Sequence, residues 1–209
     1  MTGRWVEVDP ERLPRWLAGF TERHGPSTVD IDGYAIRLRA ADGEVAMCHT
    51  PPGTPEPVDL DGFVAAAQQE RRLGLLLVRR GGFAVGVATG TELVASKVDS
   101  RYVQSRTAAG GWSQQRFARR RENQAKALVE AATEVAVRLL LPETGRLDAL
   151  VAGGDRRLVD AVLSDARLAS LAPLRSARFL DVPDPKLNVL QAAVRGARTV
   201  RIRLEQPDP

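Results

Sequence analysis

A short polar segment in the middle of the chain carries the residues best suited to chemistry. It reads AAGGWSQQRFARRREN from Ala108 to Asn123 and leads into a long helical pattern. Gly110 and Gly111 permit positive φ angles, so the backbone can approach another backbone closely. Four arginines follow, and three of them are Arg116, Arg119 and Arg120. Spacings of three and four positions make them neighbours on a helix surface, where guanidinium groups are suited to bind phosphate.

Positive charge is concentrated around this segment. The chain has a net charge of +4, yet residues 97–126 contain eight positive and two negative side chains, which is 8 − 2 = +6. The rest of the chain therefore sums to 4 − 6 = −2. Arginines at the start of a helix also oppose the helix dipole, which favours anions there. A cost of this kind is more readily accepted where an anionic partner binds, so the pattern predicts contact with nucleic-acid phosphates.

Three other groups of residues are weaker candidates for chemistry. Cys48 beside His49 could serve as a nucleophile, but a single cysteine on a strand is typical of a core. Gly153-Gly154-Asp155 follows a strand and opens a helix, where free N–H groups can bind phosphate, although no complete nucleotide motif surrounds it. A metal-dependent nuclease would need converging carboxylates. The aspartates that could form such a site are Asp30, Asp32, Asp148 and Asp155. Their spacing does not indicate one.

The composition excludes several other classes of protein. No apolar run reaches the length of a membrane span, and residues 1–9 have no apolar signal core, so we expect no membrane partner and a cytoplasmic location. One cysteine and two histidines are too few for a convincing zinc site, and we expect no metal.

The elements that must position the polar segment follow from hydrophobic periodicity and from turn residues. The predicted helices are Arg12–Arg23, Asp59–Leu73, Ser113–Leu141, Arg157–Leu163 and Lys186–Arg195. The predicted strands are Thr28–Arg39, Val45–His49, Gly74–Arg79, Gly82–Thr89, Glu92–Asp99, Leu147–Ala152, Ala177–Val182 and Thr199–Leu204. This alternation predicts an α/β (α+β) fold, a mixed β-sheet flanked by helices. The proline-rich stretch Thr50–Pro57 predicts a boundary between an N-terminal helix-and-hairpin extension, residues 1–57, and a main domain, residues 58–209.

The segment GGWSQQRFARRRE, Gly110 to Glu122, resembles the catalytic-domain signature of the eukaryotic and archaeal class-1 translation release factors. In that family a Gly-Gly-Gln loop is followed by Ser, two variable residues and Arg-Phe-x-Arg-x-Arg. The matching residues are Gly110, Gly111, Ser113, Arg116, Phe117, Arg119 and Arg121. Trp112 stands where the family has its catalytic glutamine, and Gln114 and Gln115 lie just beyond it. With this departure the chain most resembles the Vms-like release factors, in their short actinobacterial-type branch.

The resemblance implies both a fold and an activity. Residues 58–209 would form a release-factor-like catalytic domain, a mixed sheet flanked by helices. The activity would be that of a peptidyl-tRNA hydrolase, a carboxylic ester hydrolase that frees nascent chains from stalled ribosomes or large subunits. Its partners would be the large ribosomal subunit, ribosomal RNA and peptidyl-tRNA, with no cofactor and no metal.

The resemblance also implies roles for individual residues. Gln114 or Gln115 would help to place a water molecule against the ester carbonyl, and Gly110 and Gly111 would be the hinge of the loop. The residues implied to bind RNA are Arg106, Trp112, Arg116, Arg119 and Arg120. Trp112 could stack on a base, or it could pack the loop down.

Two alternatives remain open at this stage. One is a non-catalytic RNA-binding or ribosome-associated module that has lost its glutamine, and the other is a small metal-dependent nuclease. The sequence does not say which glutamine is catalytic, whether free peptidyl-tRNA is a substrate, what residues 1–57 do, or what the oligomeric state is.

Overall fold

The computed structural model describes residues 3–100 and 112–205. The chain divides into two compact units, one formed by residues 1–70 with 196–209 and the other by residues 71–195. The α-helices are α1 (Leu13–His24), α2 (Leu60–Gln68), α3 (Trp112–Leu139), α4 (Arg156–Leu163) and α5 (Leu187–Arg198). The strands are β1 (Arg4–Val8), β2 (Ser27–Asp32), β3 (Ala35–Ala40), β4 (Val45–His49), β5 (Arg72–Arg79), β6 (Gly82–Thr89), β7 (Glu92–Ser100), β8 (Ala149–Gly154), β9 (Arg175–Leu180) and β10 (Val200–Glu205).

The first unit is an antiparallel sheet packed against two helices. Its strand order is β1-β10-β4-β3-β2. Alternate residues of the strands, such as Ile36, Cys48 and Ile202, form one apolar core with Phe20 of α1 and Phe63 of α2. Period-two alternation in the strands and an apolar stripe on each helix bring these side chains to one layer, because both patterns put apolar residues on a single face.

The first unit differs from the prediction in three places. The predicted strand Thr28–Arg39 is two strands, β2 and β3, joined by a turn at Gly33, whose φ is +56°. Strand β1 was not predicted. Strand β10, predicted for the α/β layer, instead lies between β1 and β4 of this sheet. The chain thus returns to the first unit at its C-terminal end, and the two units meet at residue 70 rather than at the predicted boundary, residue 57.

The second unit is a mixed sheet with helices on both faces. Its strand order is β7-β6-β5-β8-β9, with β5, β6 and β7 antiparallel and β5, β8 and β9 parallel. One face packs against α3 and α4 through a large apolar cluster. The other face packs against α5, and a Cβ placed on Gly86 of β6 would lie 3.1 Å from Leu190 of that helix. This confirms the predicted fold class, a mixed sheet flanked by helices.

Helix and strand predictions for the second unit are confirmed in kind, with shifts at their ends. The long helix predicted for Ser113–Leu141 is α3, Trp112–Leu139. In the first unit, the helix predicted for Asp59–Leu73 is too long, because α2 ends at Gln68 and β5 of the second unit begins at Arg72. Strand β5 pairs on both sides, with β6 and β8. Pairing of that kind is a tertiary effect that local periodicity does not report.

Candidate functional site

The structure describes only part of the predicted site. Arg106, Gly110 and Gly111 lie outside the described residues. The other predicted site residues fall in the first turns of α3: Trp112, Gln114, Gln115, Arg116, Arg119 and Arg120. Among the side chains of these six, the structure describes only that of Arg120, which is exposed.

The sheet register defines where the predicted loop begins. Ser100, the last residue of β7, lies opposite Gly82, and Gly82 lies opposite Arg79, the last residue of β5. Val78 pairs with Gly154, the last residue of β8. Strands β5, β7, β8 and β9 therefore end at one edge of the sheet, which we call the carboxyl edge. Because β7 ends there, the loop before α3 starts from this edge.

Helix α3 runs in the direction opposite to β5. Its C-terminal end is followed by Glu143, whose carboxylate Oε2 accepts a hydrogen bond of 2.9 Å from Arg72 Nε, at the first residue of β5. The 28 residues of α3 span about 42 Å, whereas the eight residues of β5 span about 27 Å. With its C-terminal end at the start of β5, α3 extends about 15 Å beyond the carboxyl edge.

The burial of α3 agrees with this geometry. Among the described side chains of the helix, Leu128 is the first to be buried, and Ala132, Ala136 and the following Leu140 are buried as well. Described positions before Leu128 are exposed or half-buried. The C-terminal half thus anchors the helix to the sheet, while Arg120 and residues 122–127, the described side chains before Leu128, lie outside the buried core.

Electrostatics at the start of α3 favour an anionic partner. The first turn contains no acidic residue, so the partial positive charge of the helix N-terminus is added to that of the arginines. Lys126 and Arg120 are exposed on the same half of the helix, as is Glu122. A phosphate group is the kind of ligand that such an end can bind.

The thiol candidate, Cys48, is a core residue. It is 1% exposed and packs in the apolar cluster of the first unit. Burial raises the pKa of Cys48 to about 12. Because the thiolate is the reactive form of cysteine, this residue is not a nucleophile at neutral pH.

The phosphate candidate, Gly153-Gly154-Asp155, serves strand packing and helix capping. The Asp155 carboxylate accepts hydrogen bonds from the backbone N–H groups of Arg157, at 3.0 Å, and Leu158, at 3.4 Å. A Cβ placed on Gly153 would lie 2.7 Å from Leu180 O of β9. The N–H groups that would bind phosphate are therefore occupied by a carboxylate, and the glycines allow the strands to approach closely.

Three of the four carboxylates considered for a nuclease have structural partners. Asp148 accepts a hydrogen bond of 2.7 Å from the backbone N–H of Arg72, Asp155 caps α4, and Asp32 pairs with Arg37. Within residues 3–100 and 112–205, no group of three His, Cys, Asp or Glu side chains could hold a metal ion. The described part of the chain gives the nuclease alternative no support.

Membrane insertion has no candidate among the described helices. None of them is both long enough and apolar enough to cross a bilayer.

Four further arginines lie at the carboxyl edge, and the sequence reasoning missed them. They are Arg79, Arg80, Arg156 and Arg157. Arg79 closes β5 and Arg80 follows it, whereas Arg156 and Arg157 begin α4, one residue after β8. Strands β5 and β8 are parallel neighbours. The available signal was an Arg-Arg pair at the end of each of two apolar runs, but the adjacency of those runs is a property of the sheet.

A match to a family model identifies the class of this protein as that of the release factors. Residues 71–203 match the family model described as the Actinobacteria/chloroflexi VLRF1 release factor, and the chain belongs to this family. The matched range covers almost all of the second unit, includes the segment Gly110–Glu122, and ends in β10.

Comparison with other known proteins adds three solved structures. A crystal structure of the archaeal translation termination factor aRF1 matches with 15% identity and a TM-score of 0.45, over 92% of this chain and 63% of that one. A structure titled only as an archaeal protein matches with 18% identity and a TM-score of 0.40, over 75% and 48%. The Vms1 mitochondrial localization core matches with 11% identity and a TM-score of 0.48, over 96% and 82%. The chain thus spans less than two thirds of the archaeal termination factor. No individually curated protein matches the sequence.

Proposed function

We propose that the protein is a peptidyl-tRNA hydrolase that frees nascent chains from stalled ribosomes or from large ribosomal subunits. The observation that carries this proposal is the match of residues 71–203 to a release-factor family. That range includes the glycines, glutamines and arginines of the segment Gly110–Glu122. The length of α3 supports the proposal, because a helix that extends beyond its sheet is suited to reach into a narrow RNA-walled site.

The proposed reaction is the hydrolysis of one ester bond. The oxygen of a water molecule attacks the ester carbonyl carbon, and the bond between that carbon and the tRNA ribose oxygen breaks. One water proton passes to the ribose oxygen, and the peptide leaves as a carboxylic acid. A glutamine amide carries both donors and an acceptor, so Gln114 or Gln115 would hold the water in place. Catalysis of this kind rests on positioning and electrostatics, and it requires neither a metal nor a cofactor.

The proposed RNA contacts surround this chemistry. The residues proposed to bind RNA are Arg106, Trp112, Arg116, Arg119 and Arg120. The arginines would bind phosphates of ribosomal or transfer RNA, and Trp112 would stack on a base, a contact worth about 1–3 kcal/mol. Gly110 and Gly111 would let the loop move to the ester. The same proposal puts the protein in the cytoplasm, with its ribosomal substrate.

A release assay tests the assignment of the catalytic group. Gln114 and Gln115 are both candidates for the catalytic group, so they are tested separately. We expect Gln114→Ala or Gln115→Ala to lower the rate of peptide release from isolated large subunits carrying a defined peptidyl-tRNA. The expected loss is on the order of 10²–10³-fold, the usual effect of removing one positioned hydrogen-bonding group.

The matched control is Gln124→Ala, an exposed glutamine of the same helix. It is expected to release peptide at the wild-type rate, and all variants are expected to bind large subunits as the wild type does. Wild-type release rates in both single variants and in the double variant would show that neither glutamine is the catalytic group.

A non-catalytic RNA-binding or ribosome-associated module is the second candidate. It is favoured by one observation, that Trp112 stands where the release-factor signature has its glutamine. The same assay distinguishes the two functions. A wild-type protein that binds large subunits with high affinity but does not accelerate release above the uncatalysed rate would support the module and contradict the hydrolase.

A further inference from the structure

The four arginines at the carboxyl edge form a compact group, which we call the edge arginines: Arg79, Arg80, Arg156 and Arg157. Arg79 Nη1 donates a hydrogen bond of 2.6 Å to Val182 O, just beyond β9. The guanidinium carbon of Arg156 lies 4.1 Å from the centre of the Phe179 ring of β9. Arg80 and Arg157 are exposed. The ends of β5, β8 and β9 thus bring together side chains that are far apart in the sequence.

The edge arginines differ from a group of other arginines of the protein in their partners. Seven other arginines form ion pairs with carboxylates: Arg37, Arg72, Arg167, Arg175, Arg198, Arg201 and Arg203. In the described part of the chain, none of the edge arginines pairs with a carboxylate, and two of them contact a carbonyl oxygen or an aromatic ring instead. Their charge is therefore not neutralised by direct pairing.

The acidic side chains near the edge leave a positive balance. Asp155 is engaged in capping α4. Asp184 lies against Gly81, where its carboxylate would be 3.4 Å from an added Cβ, and Asp181 is exposed, as is Lys186. Asp99 is the penultimate residue of β7, which ends at the same edge. Counting Lys186 with the edge arginines and Asp99 with the three other aspartates, the positive charges are five and the negative charges four, which is 5 − 4 = +1. An Arg cluster with this balance is suited to a phosphate-rich ligand, because a guanidinium can donate two hydrogen bonds to one phosphate.

The position of the edge arginines in the fold indicates the identity of this phosphate-rich ligand. They lie on the edge at which β7 ends, and the loop that precedes α3 begins there. Ligands of open α/β sheets bind at the carboxyl ends of the strands. A nucleic acid engaged by the loop and by the start of α3 would have to pass this edge.

We infer that the edge arginines form a second RNA-binding surface, which holds the sugar-phosphate backbone beside the loop. This inference rests on the proposed function for the identity of the RNA. It assigns direct contact with phosphates to Arg80 and Arg157, which are exposed and for which the structure records no hydrogen bond or ring contact of the side chain with the protein. Arg79 and Arg156, each held by a neighbour in β9 or just beyond it, would position that surface.

The test removes two charges while keeping the size of the side chains. Arg80→Gln with Arg157→Gln is compared with the wild type for binding to three probes: free tRNA, deproteinised large-subunit RNA and intact large subunits. Each lost phosphate contact lowers the slope of log affinity against log salt by about 0.7–0.9. We expect the slope to fall by about 1.5 and the affinity at low salt to fall on the order of tenfold.

The matched control removes two exposed arginines from the opposite edge of the same unit. Arg138 lies near the end of α3, and Arg146 precedes β8. Arg138→Gln with Arg146→Gln is expected to retain the wild-type slope with every probe. An unchanged slope in the edge variant, or an equal loss in the control, overturns the inference. A loss confined to intact subunits would assign the edge to an acidic protein surface and would also overturn it.

The three binding probes, together with the release assay, also distinguish this inference from the proposed function. A loss with free tRNA alone identifies transfer RNA as the ligand, and a loss with deproteinised large-subunit RNA identifies ribosomal RNA. If the wild type binds RNA through the edge but releases no peptide, the proposed function fails and the inference holds. If the wild type releases peptide while the edge variant keeps the wild-type slope, only the inference fails.

Discussion

Gly154 illustrates how a residue that suggests ligand chemistry can serve the backbone instead. Its φ of +97° lies in the region that favours glycine, and a Cβ added there would clash with Val78 O of the neighbouring strand. The residue ends β8 at the carboxyl edge, immediately before the cap of α4. Any side chain at this position would push apart the two central parallel strands.

We therefore predict that Gly154→Ala destabilises the protein. The left-handed conformation alone costs an L-residue about 1–2 kcal/mol, and the clash with Val78 O adds to this cost. The free energy of unfolding, measured by urea denaturation, should fall by more than about 1 kcal/mol. The control is Gly145→Ala, where an added Cβ meets nothing within 4 Å, and the expected change is within about 0.5 kcal/mol. Equal stability of the two variants would contradict the packing role of Gly154.

At the scale of elements, α3 combines two functions in one helix. From Leu128 onwards it packs on the sheet, and before Leu128 its described side chains are exposed or half-buried. Its first turn carries no acidic residue to offset the helix dipole. Arg116 directly follows this turn, so it is the arginine that opposes the helix dipole most, at a cost of about 0.3–1 kcal/mol at low salt. A bound polyanion would remove that cost.

This leads to a prediction in which binding is weakened while the fold is retained. Replacing Arg116, Arg119 and Arg120 together by Gln should lower the slope of log affinity against log salt for large subunits by about 2–3. The melting temperature of the same variant should change little, because Arg120 is exposed and surface substitutions usually change the free energy of unfolding by less than about 0.5 kcal/mol each. Co-sedimentation across a salt series and a thermal melt measure the two effects. Arg138→Gln, near the other end of α3, should change neither. Wild-type salt dependence in the triple variant would remove the RNA-binding role from these arginines.

At the scale of the whole molecule, the last strand belongs to the first unit. Strand β10 pairs with both β1 and β4, and Val200 and Ile202 are fully buried in the core that contains α1 and α2. A central strand supplies hydrogen bonds to two neighbours and one layer of the core. The first unit therefore depends on residues from both ends of the chain, while the second unit has its own core.

We predict that a chain ending at Arg198 loses the fold of the first unit but keeps that of the second. Limited proteolysis followed by mass spectrometry should find new cleavage sites within residues 3–70, and residues 112–195 should stay protected. The control ends at Glu205, the last residue of β10, and should be as resistant as the full chain. Continued protection of residues 3–70 in the shorter chain would mean that β10 is dispensable.

Features set by local periodicity could be predicted from the sequence. Helices α1 and α3 have apolar residues at helical spacing, and β5, β6 and β7 are apolar runs separated by glycine turns, so their kind and approximate bounds were correct. The basic segment before and within α3 was visible for the same reason, since its residues are consecutive. The cap of α2 is also a local feature: an aspartate precedes the apolar residues of this helix, and Asp59 Oδ1 accepts a hydrogen bond of 2.6 Å from Gly62 N.

Pairing between distant residues was decided only by the tertiary structure. Strand β10 has the same alternation whichever sheet it joins, so its place between β1 and β4 could not be predicted. The edge arginines are adjacent because β5 and β8 are parallel neighbours, a fact that neither Arg-Arg pair carries. The sequence by itself determined which segments are helix, strand or basic turn, because those depend on interactions between near neighbours in the chain. The three-dimensional fold decided which of those segments share an edge, because that depends on burying one common core.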